Sequence, residues 1–459
     1  MTNRIHLVGI GGAGMSAIAR VLYQRGQKVG GSDLSDSVYS RQLEDMGIKV
    51  DYGHRASNIN GASLVVASSA IPDDNVELAA ARTAGLPVLR RDAYLPRLVE
   101  GCRVVAVAGT HGKTTTTGMI AFVLEKAGLN PGFVVGGVLA DFNTNAQAGQ
   151  SDLFVIEADE YAQTFLALEP ELAVITNIEH DHPDCYPTGD DFERAFKQFA
   201  DQVDKTLIVC GDDPVAAALR PEKADVIRYG FDEHNHWRAV DVRPNPAGGS
   251  DFVALREEHD SSLVRTRLPG RHNVLNALAA LVVGEILGLD AMQAREALTE
   301  YRGVSRRFEI LGESMGVVVV DDYAHHPTEI RATLQAARSR YPEQKIIAVF
   351  QPHTFSRLKA LWDDFTQAFD QTDLVVVTDV FASREQPDPE VKVEQLSEQI
   401  RSVESRFIAG MEDAAEYLIQ HVKSGSIVIT LSAGDGNQVG RMLLSKLKQR
   451  EESHHGDQE

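Results

Sequence analysis

The chain has 459 residues, which at roughly 100–200 residues per domain predicts two to four folded units. Hydrophobic residues make up 43% and charged residues 24%, a globular balance that excludes a largely disordered chain. Forty-five Lys+Arg against 66 Asp+Glu give a formal charge of −21, a field that repels nucleic acid and anionic membranes, although backbone amides and single cations can still hold a few phosphates.

Short apolar runs alternate with amphipathic stretches from the start. Residues 5–8 predict a strand, 13–25 a helix, 28–31 a second strand and 64–67 a later one, closing a first segment at residue 101. A second segment, 102–308, opens with the buried-strand run 103–108, which drives straight into Gly109. Further strands are expected at 154–156, 173–176 and 207–209, a hairpin-and-loop insertion at 234–262, and a helix at 273–287. The apolar stretch 277–288 is interrupted by Glu285 and falls short of the ~20 residues a membrane span needs. The third segment, 309–459, opens with a strand at 317–320 and continues with strands at 346–350, 374–377 and 427–430. Pro327 sits where a helix can begin, and residues 448–459 are almost wholly polar and expected to fray. Strands alternating with helices predict parallel sheets built from right-handed crossovers. The fold class is therefore α/β, as three successive open units with ligand sites at the carboxyl ends of their strands. No basic leader precedes the first strand, so no signal peptide is expected. Cys102, Cys185 and Cys210 lack metal-ligand spacing and are odd in number, which points to a reduced, cytoplasmic location.

Two glycine loops carry the chemistry. Gly9-Ile10-Gly11-Gly12-Ala13-Gly14 fits G-x-G-x-x-G between a strand and a helix, with Asp33 some 20 residues on. Such a loop lets backbone amides approach a diphosphate, of an NAD-like ligand or of another nucleotide. Asp33 can accept a ribose hydroxyl or serve as an ordinary loop aspartate, and Ser68 and Ser69 can meet a ligand or simply form a turn. Gly109-Thr110-His111-Gly112-Lys113-Thr114-Thr115 is more specific. Its amides can cradle phosphates, Lys113 can neutralise the β/γ charge, and Thr114 can offer a hydroxyl to Mg²⁺. Two more strands run into Glu157-Ala158-Asp159-Glu160 and Asn177-Ile178-Glu179-His180-Asp181-His182. Both ends lie on the edge that carries the phosphate loop, so Glu157 and His182 join Thr114 as candidate Mg²⁺ ligands. Zinc fits less well, because no cysteine is placed to complete a tetrahedron around His180 and His182. A dinucleotide-dependent oxidoreductase would leave Gly109 to Thr115 unexplained, and a catalytically idle nucleotide-binding regulator is the third class.

The stretches 109–117 (G-T-H-G-K-T-T-T-T), 157–160, 176–182 (T-N-I-E-H-D-H), 270–276 (G-R-H-N-V-L-N), 306–309 and 321–329 (D-D-Y-A-H-H-P-T-E) resemble, in order, the Mur ligases, the ATP-dependent peptide-bond-forming enzymes of peptidoglycan precursor synthesis. The resemblance covers essentially the whole chain. The first glycine loop, Ser68-Ser69-Ala70-Ile71, Gln351-Pro352-His353 and Ser356-Arg357 are similar to the member that adds the first amino acid. That implies ligation of L-alanine to the lactyl carboxylate of UDP-N-acetylmuramate through an acyl phosphate. The alternative is the recycling member that adds a whole tripeptide, towards which Tyr161-Ala162-Gln163-Thr164-Phe165 departs. Other members carry a carbamylated lysine where this chain has Gln198.

Three jobs on three segments follow from the resemblance, with ATP and Mg²⁺ as cofactors, a monomer or homodimer, and neither nucleic acid nor membrane as partner. Residues 1–101 would hold the UDP-sugar through Gly11, Gly12, Ala13, Gly14, Met15, Asp33 and Ser69. Residues 102–308 would bind ATP through Gly109, Thr110, His111, Gly112, Lys113, Thr114 and Thr115, with His272, Asn273, Asn276, Arg307 and Asp321 on the nucleoside side. Residues 309–459 would hold the amino acid through Tyr323, His325, His353 and Arg357. Lys113, Glu157, His182, His325 and His353 are the expected catalytic residues, with His326 a further candidate for taking the amine proton. The linker 303–312 is the expected hinge.

Overall fold

The computed structural model describes residues 4–256, 260–383 and 385–456. Its strands gather into sheets of five, ten and six strands. The first is parallel throughout and runs Lys49–Tyr52, Lys28–Asp33, Arg4–Val8, Ala62–Ala67, Val88–Arg90 from edge to edge. Chain order reverses between Arg4–Val8 and Ala62–Ala67, which opens a crevice at their carboxyl ends where Gly9 and Ser68 follow.

The ten-stranded sheet places Arg103–Ala108 between Leu172–Ile175 and Leu153–Glu157, all parallel. After Arg103 every residue of that strand is buried, which is why it reads as a continuous apolar run without alternation. The Lys113–Lys126 helix that follows is buried continuously from Thr114 to Leu124, packed against Arg271–Ile286 and Ala291–Glu300. A helix enclosed on all sides needs no polar stripe, and neither Lys113–Lys126 nor Arg271–Ile286 has one. The stretch expected as a hairpin and loop does form a hairpin, Trp237–Pro244 with Ser250–Arg256, and that hairpin extends this sheet. Trp237–Pro244 pairs parallel to Asp225–Gly230, and Ser250–Arg256 and Asp260–Arg265 continue it antiparallel. Residues 257–259 of that expected insertion lie outside the described residues.

The six-stranded sheet adds a strand the sequence did not signal. Glu309–Ser314 pairs antiparallel with Val317–Asp322, and its Glu-Ile-Leu-Gly-Glu-Ser carries no strand-like run. The expected fraying from Lys448 is also corrected: one helix spans Asn437–Gly456. Leu443, Leu444 and Leu447 bury one face of it, and Arg450 donates to the Ile419 carbonyl at 2.9 Å. Residues 457–459 lie outside the described residues. Between the second and third sheets the chain is tied first to one and then to the other. Ser305 N–H donates to Val138 O (2.9 Å), whereas Arg306 N–H reaches Glu309 (2.8 Å) and Phe308 N–H reaches Asp322 (2.8 Å).

Candidate active site

The phosphate loop begins where the buried strand ends. Gly109 has φ +132°, and a Cβ there would lie 2.0 Å from Thr176 Oγ1, so close approach of the neighbouring strand end demands glycine. The loop is fixed by Thr110 Oγ1 donating to Glu179 O (2.8 Å), His111 N–H to Asn177 Oδ1 (2.9 Å) and Thr176 Oγ1 to His111 O (2.6 Å). Lys113 Nζ donates to Gly109 O (2.5 Å), Thr110 O (2.9 Å) and Glu160 Oε1 (3.0 Å). Burial pulls that ammonium down, but Glu160, Glu157 and Asp159 outweigh it and the net shift is upward. Lys113 is thus held as a cation. Glu160, which the sequence offered only as part of a motif, is its fixed counter-charge.

Thr114 Oγ1 donates to Glu157 Oε1 at 2.9 Å, and Gly136 N–H donates to Glu157 Oε2 at 2.6 Å. Burial raises the Glu157 pKa against the opposing pull of Lys113. A half-buried carboxylate beside a hydroxyl at the start of the loop helix is a hard-oxygen pair that fits Mg²⁺. His182 stands apart from that pair: Nε2 lies 3.5 Å from Glu160 Oε1, and its ring meets Tyr161 edge-on at 5.1 Å. Burial lowers its pKa, while Glu160 and Asp181 raise it more.

One cavity of about 450 Å³ lies against the loop and is bordered by His111, Gly112, Thr115, His272, Asn273, Asn276 and Arg307. Asn276 is set by the loop helix itself, accepting from Thr116 Oγ1 (3.0 Å) and donating to Asn273 Oδ1 (3.1 Å). Burial brings His272 down to about 4. The expected Asp321 is corrected here. Its carboxylate is fully buried beneath the sheet end, accepting from Arg306 Nε (3.2 Å) and Thr430 Oγ1 (2.9 Å). Its neighbour Asp322 borders the cavity, because consecutive strand residues face opposite sides, and burial pushes its pKa up to about 6.

A second cavity of about 460 Å³ lies between the three sheets. Gly12, Ala13, Gly14, Met15 and Ser69 border it from the first, Asp159, Tyr161 and His182 from the central one, and Tyr323, His353 and Arg357 from the third. Gly11 and Asp33 stand behind that wall, contrary to expectation. Asp33 accepts the N–H groups of Gly11 and Leu34, each at 2.8 Å, so it shapes the turn that presents the next residues. Arg357, expected on an amino-acid carboxylate, grips Asp181 through Nε (3.2 Å) and Nη2 (3.0 Å), with both side chains 7% exposed. Its Nη1 donates to His353 Nδ1 (3.2 Å). His325 does not border the cavity. It lies behind His353, ring centroids 5.7 Å apart, with Nδ1 on the Tyr323 carbonyl (3.0 Å), and burial pulls its pKa down to about 3. An imidazole that reluctant to take a proton is a poor general base at neutral pH. Gln198 lies exposed on the Gly189–Asp201 helix, away from both cavities.

The third domain is latched onto the loop by His111, which was expected on ATP, and by Glu179, Thr328 and Glu329, which had no expected role beyond membership of a motif. His111 Nε2 meets Glu179 at 2.7 Å and Nδ1 meets Glu329 at 3.2 Å, while Thr328 Oγ1 donates to Glu179 at 2.8 Å. Burial lowers the His111 pKa, but the two carboxylates carry it to about 9, so the imidazolium is the bridging form. Single-sequence spacing cannot pair residues 218 positions apart, as His111 and Glu329 are.

Comparison with known proteins agrees along the whole chain. Residues 4–103 match the model of the Mur ligase family, catalytic domain, 107–284 the Mur ligase middle domain, and 306–434 the Mur ligase, glutamate ligase domain. The chain is 43% identical to a UDP-N-acetylmuramate–L-alanine ligase of Roseiflexus sp. (strain RS-1), over 97% of this chain and 99% of the relative. It is likewise 43% identical to the enzyme of that name from Syntrophobacter fumaroxidans, covering 97% and 96%. Among solved structures, a UDP-N-acetylmuramate–alanine ligase from Thermotoga maritima superposes with a TM-score of 0.84 at 29% identity, covering 97% and 99%. A murein peptide ligase from Psychrobacter arcticus gives 0.73 at 25%, covering 97% and 98%. The phosphate loop, the two cavities and these relatives lead to one conclusion: the chain belongs to the Mur ligase family.

Proposed function

We propose that the protein joins L-alanine to the lactyl carboxylate of UDP-N-acetylmuramate at the expense of ATP, releasing ADP and phosphate. The observation that carries this reading is that Lys113 and Glu160 connect the loop bordering the first cavity to the segment bordering the second. ATP on the loop and the sugar acid in the cavity between the domains would then meet at one lysine. In this reading residues 1–101 hold the UDP-sugar, 102–308 the ATP and 309–459 the amino acid.

A carboxylate and an ammonium do not condense at neutral pH, since hydroxide leaves poorly. Attack of the carboxylate oxygen on the γ-phosphorus breaks the bond to the β,γ-bridging oxygen, releases ADP and gives an acyl phosphate, whose later leaving group is phosphate. Two anions must approach for that step, so neutralising charge is the main catalytic requirement. Lys113 supplies a fixed cation. Thr114 and Glu157 are the residues that would hold Mg²⁺, with His182 beside Glu160; the ion, when bound, adds positive charge at the transferring phosphoryl group. Asn273, Asn276 and Asp322 suit the nucleoside.

The alanine ammonium first loses a proton to solvent; the free amine then attacks the acyl carbon, phosphate departs, and the second amine proton leaves with it. His353 borders the cavity with Nδ1 accepting from Arg357, so that nitrogen is not the one that takes a proton from the amine, and the ring suits positioning of the alanine carboxylate. Acyl phosphates hydrolyse, so water must be kept out. The Asp181–Arg357 pair and the His111 bridge hold the third domain over the site and serve that end.

The test is phosphate release from ATP with UDP-N-acetylmuramate, comparing L-alanine, glycine, L-serine and the tripeptide L-alanyl-γ-D-glutamyl-meso-diaminopimelate. L-Alanine is expected to stimulate release. Stimulation by tripeptide alone would move the assignment to the recycling ligase, which the departure at Tyr161 to Phe165 favours. With ¹⁸O in the lactyl carboxylate, one labelled oxygen is expected in the released phosphate; its absence while product accumulates overturns the acyl-phosphate route.

A further inference from the structure

Arg91 lies in none of the motifs described above. It is the first residue of the Arg91–Leu98 helix in the first domain, and its side chain borders the same cavity as Gly12, Ala13, Gly14 and Met15. A Cβ on Gly14 would sit 2.6 Å from Arg91 Nη1, so the guanidinium rests directly on the glycine loop. Its Nη2 donates to Asp159 Oδ2 at 2.9 Å, across the boundary between the first and central domains. Its Nε is buried and finds no acceptor among the described residues.

Two chemical features converge at this spot. The Ala13–Gln24 helix makes its first backbone bond from Ser16 N–H to Gly12 O, so the amides of Ala13, Gly14 and Met15 come before the ladder begins. Beside them sits a planar cation whose donors suit phosphate oxygens, with only one of its nitrogens engaged by a carboxylate. That carboxylate is 39% exposed and also accepts the Tyr161 N–H at 3.1 Å, so it has a second bond to keep if the arginine turns away. We infer that Arg91 binds the diphosphate of a nucleoside diphosphate seated on the glycine loop, and that Asp159 competes with that diphosphate for the same guanidinium. The inference rests on the first domain holding the UDP moiety, as proposed above. Asp159 lies between Glu157 and Glu160, so occupancy of the diphosphate seat is reported one residue from the counter-charge of Lys113.

The experiment is calorimetric titration of the full-length protein with UDP, without ATP or Mg²⁺. Wild-type protein is expected to bind UDP, and failure to bind overturns the placement of UDP in the first domain and this inference with it. R91Q is expected to weaken UDP about tenfold or more, as loss of a charge-assisted contact implies. D159N is expected to bind UDP as tightly as wild type or more tightly, because the competing charge is gone. If wild type binds and R91Q binds equally well, the role of Arg91 is overturned while the UDP site stands. Equal weakening in R91Q and D159N also overturns it, since a plain interdomain staple would behave that way. R91K keeps the charge but not the planar fork, and is expected to bind UDP about threefold or more weakly. Should R91Q fail to fold, R91K with wild-type affinity overturns the inference. In turnover assays R91K should raise KM for UDP-N-acetylmuramate and leave KM for ATP unchanged.

Discussion

Single side chains with fixed partners set the chemistry, and their charges can be tested one at a time. Lys113 is a cation among carboxylates, so K113A should lower kcat about 10³-fold or more, by analogy with loss of a preorganised charge-stabilising group. K113R, which is longer and planar, should not rescue it. His111 makes a prediction with a sign. Its folded-state pKa of about 9 lies above its ordinary value of 6.5, so the bridge to Glu179 and Glu329 contributes fully below about pH 6.5. That contribution disappears as pH rises through about 9. Thermal melts between pH 7 and 10 should therefore fall more steeply for wild type than for H111N, and equal slopes would dismiss the bridge. Glu77 behaves the opposite way. It is fully buried in the first domain between His6 (2.7 Å), Ser32 (2.8 Å) and Asn58 (2.8 Å). Burial alone would raise its pKa, but those partners hold it at about 2 against 4.5 ordinarily. Its stabilisation is present above pH 4.5 and is lost as pH falls towards 2, and E77A should destabilise the protein by about 3 kcal/mol. Nothing in the sequence marked Glu77, because the residues that justify a buried carboxylate lie on other strands and turns.

At the scale of elements, local signals and tertiary packing divide the work. The Gly189–Asp201 helix carries its own start signal: Thr188 Oγ1 accepts from Asp191 N–H, and Asp190 and Asp191 occupy the first turn. T188A should cost about 1 kcal/mol, read from denaturant melts, with no change in kcat. The Glu309–Ser314 strand and the Thr144–Gln147 strand have no comparable signal. They exist because a neighbouring strand offers them a ladder, and an edge strand of polar residues is legible only once that neighbour is in place. The Asn437–Gly456 helix makes the same point, since its polar outer face reads as a disordered tail until the sheet beneath it is known.

For the whole molecule, the question is how the third domain is held against the other two. The linker belongs to the central sheet up to Ser305 and to the third sheet from Arg306, and Arg306 and Phe308 adopt φ of +63° and +50°. Gly312 lies inside a strand, so of the stretch 303–312 expected as a hinge, only the Ser305–Arg306 junction marks a change of sheet, and we propose the hinge there. Small-angle scattering should show D181N, which cuts the Arg357 ion pair, to be more extended than wild type. UDP-N-acetylmuramate with a non-hydrolysable ATP analogue should bring the two profiles back together. Profiles of D181N and wild type that superimpose throughout would remove Asp181–Arg357 from the latch.

The sequence by itself determined the three α/β units and the residue types at each loop. Glycine after a buried strand, lysine and threonine at a helix start, and acids at adjacent strand ends are local statements that a parallel sheet converts into one edge. Only the tertiary structure decided which of those residues face the cavities. It put Asp322 rather than Asp321 on the cavity beside the phosphate loop, set Asp33 behind the glycine loop and His325 behind His353, and brought Arg91, Glu160 and Glu329 to the site. The reason is geometric: one residue along a strand reverses a side chain, and contacts between separately folded domains leave no periodicity in either of them.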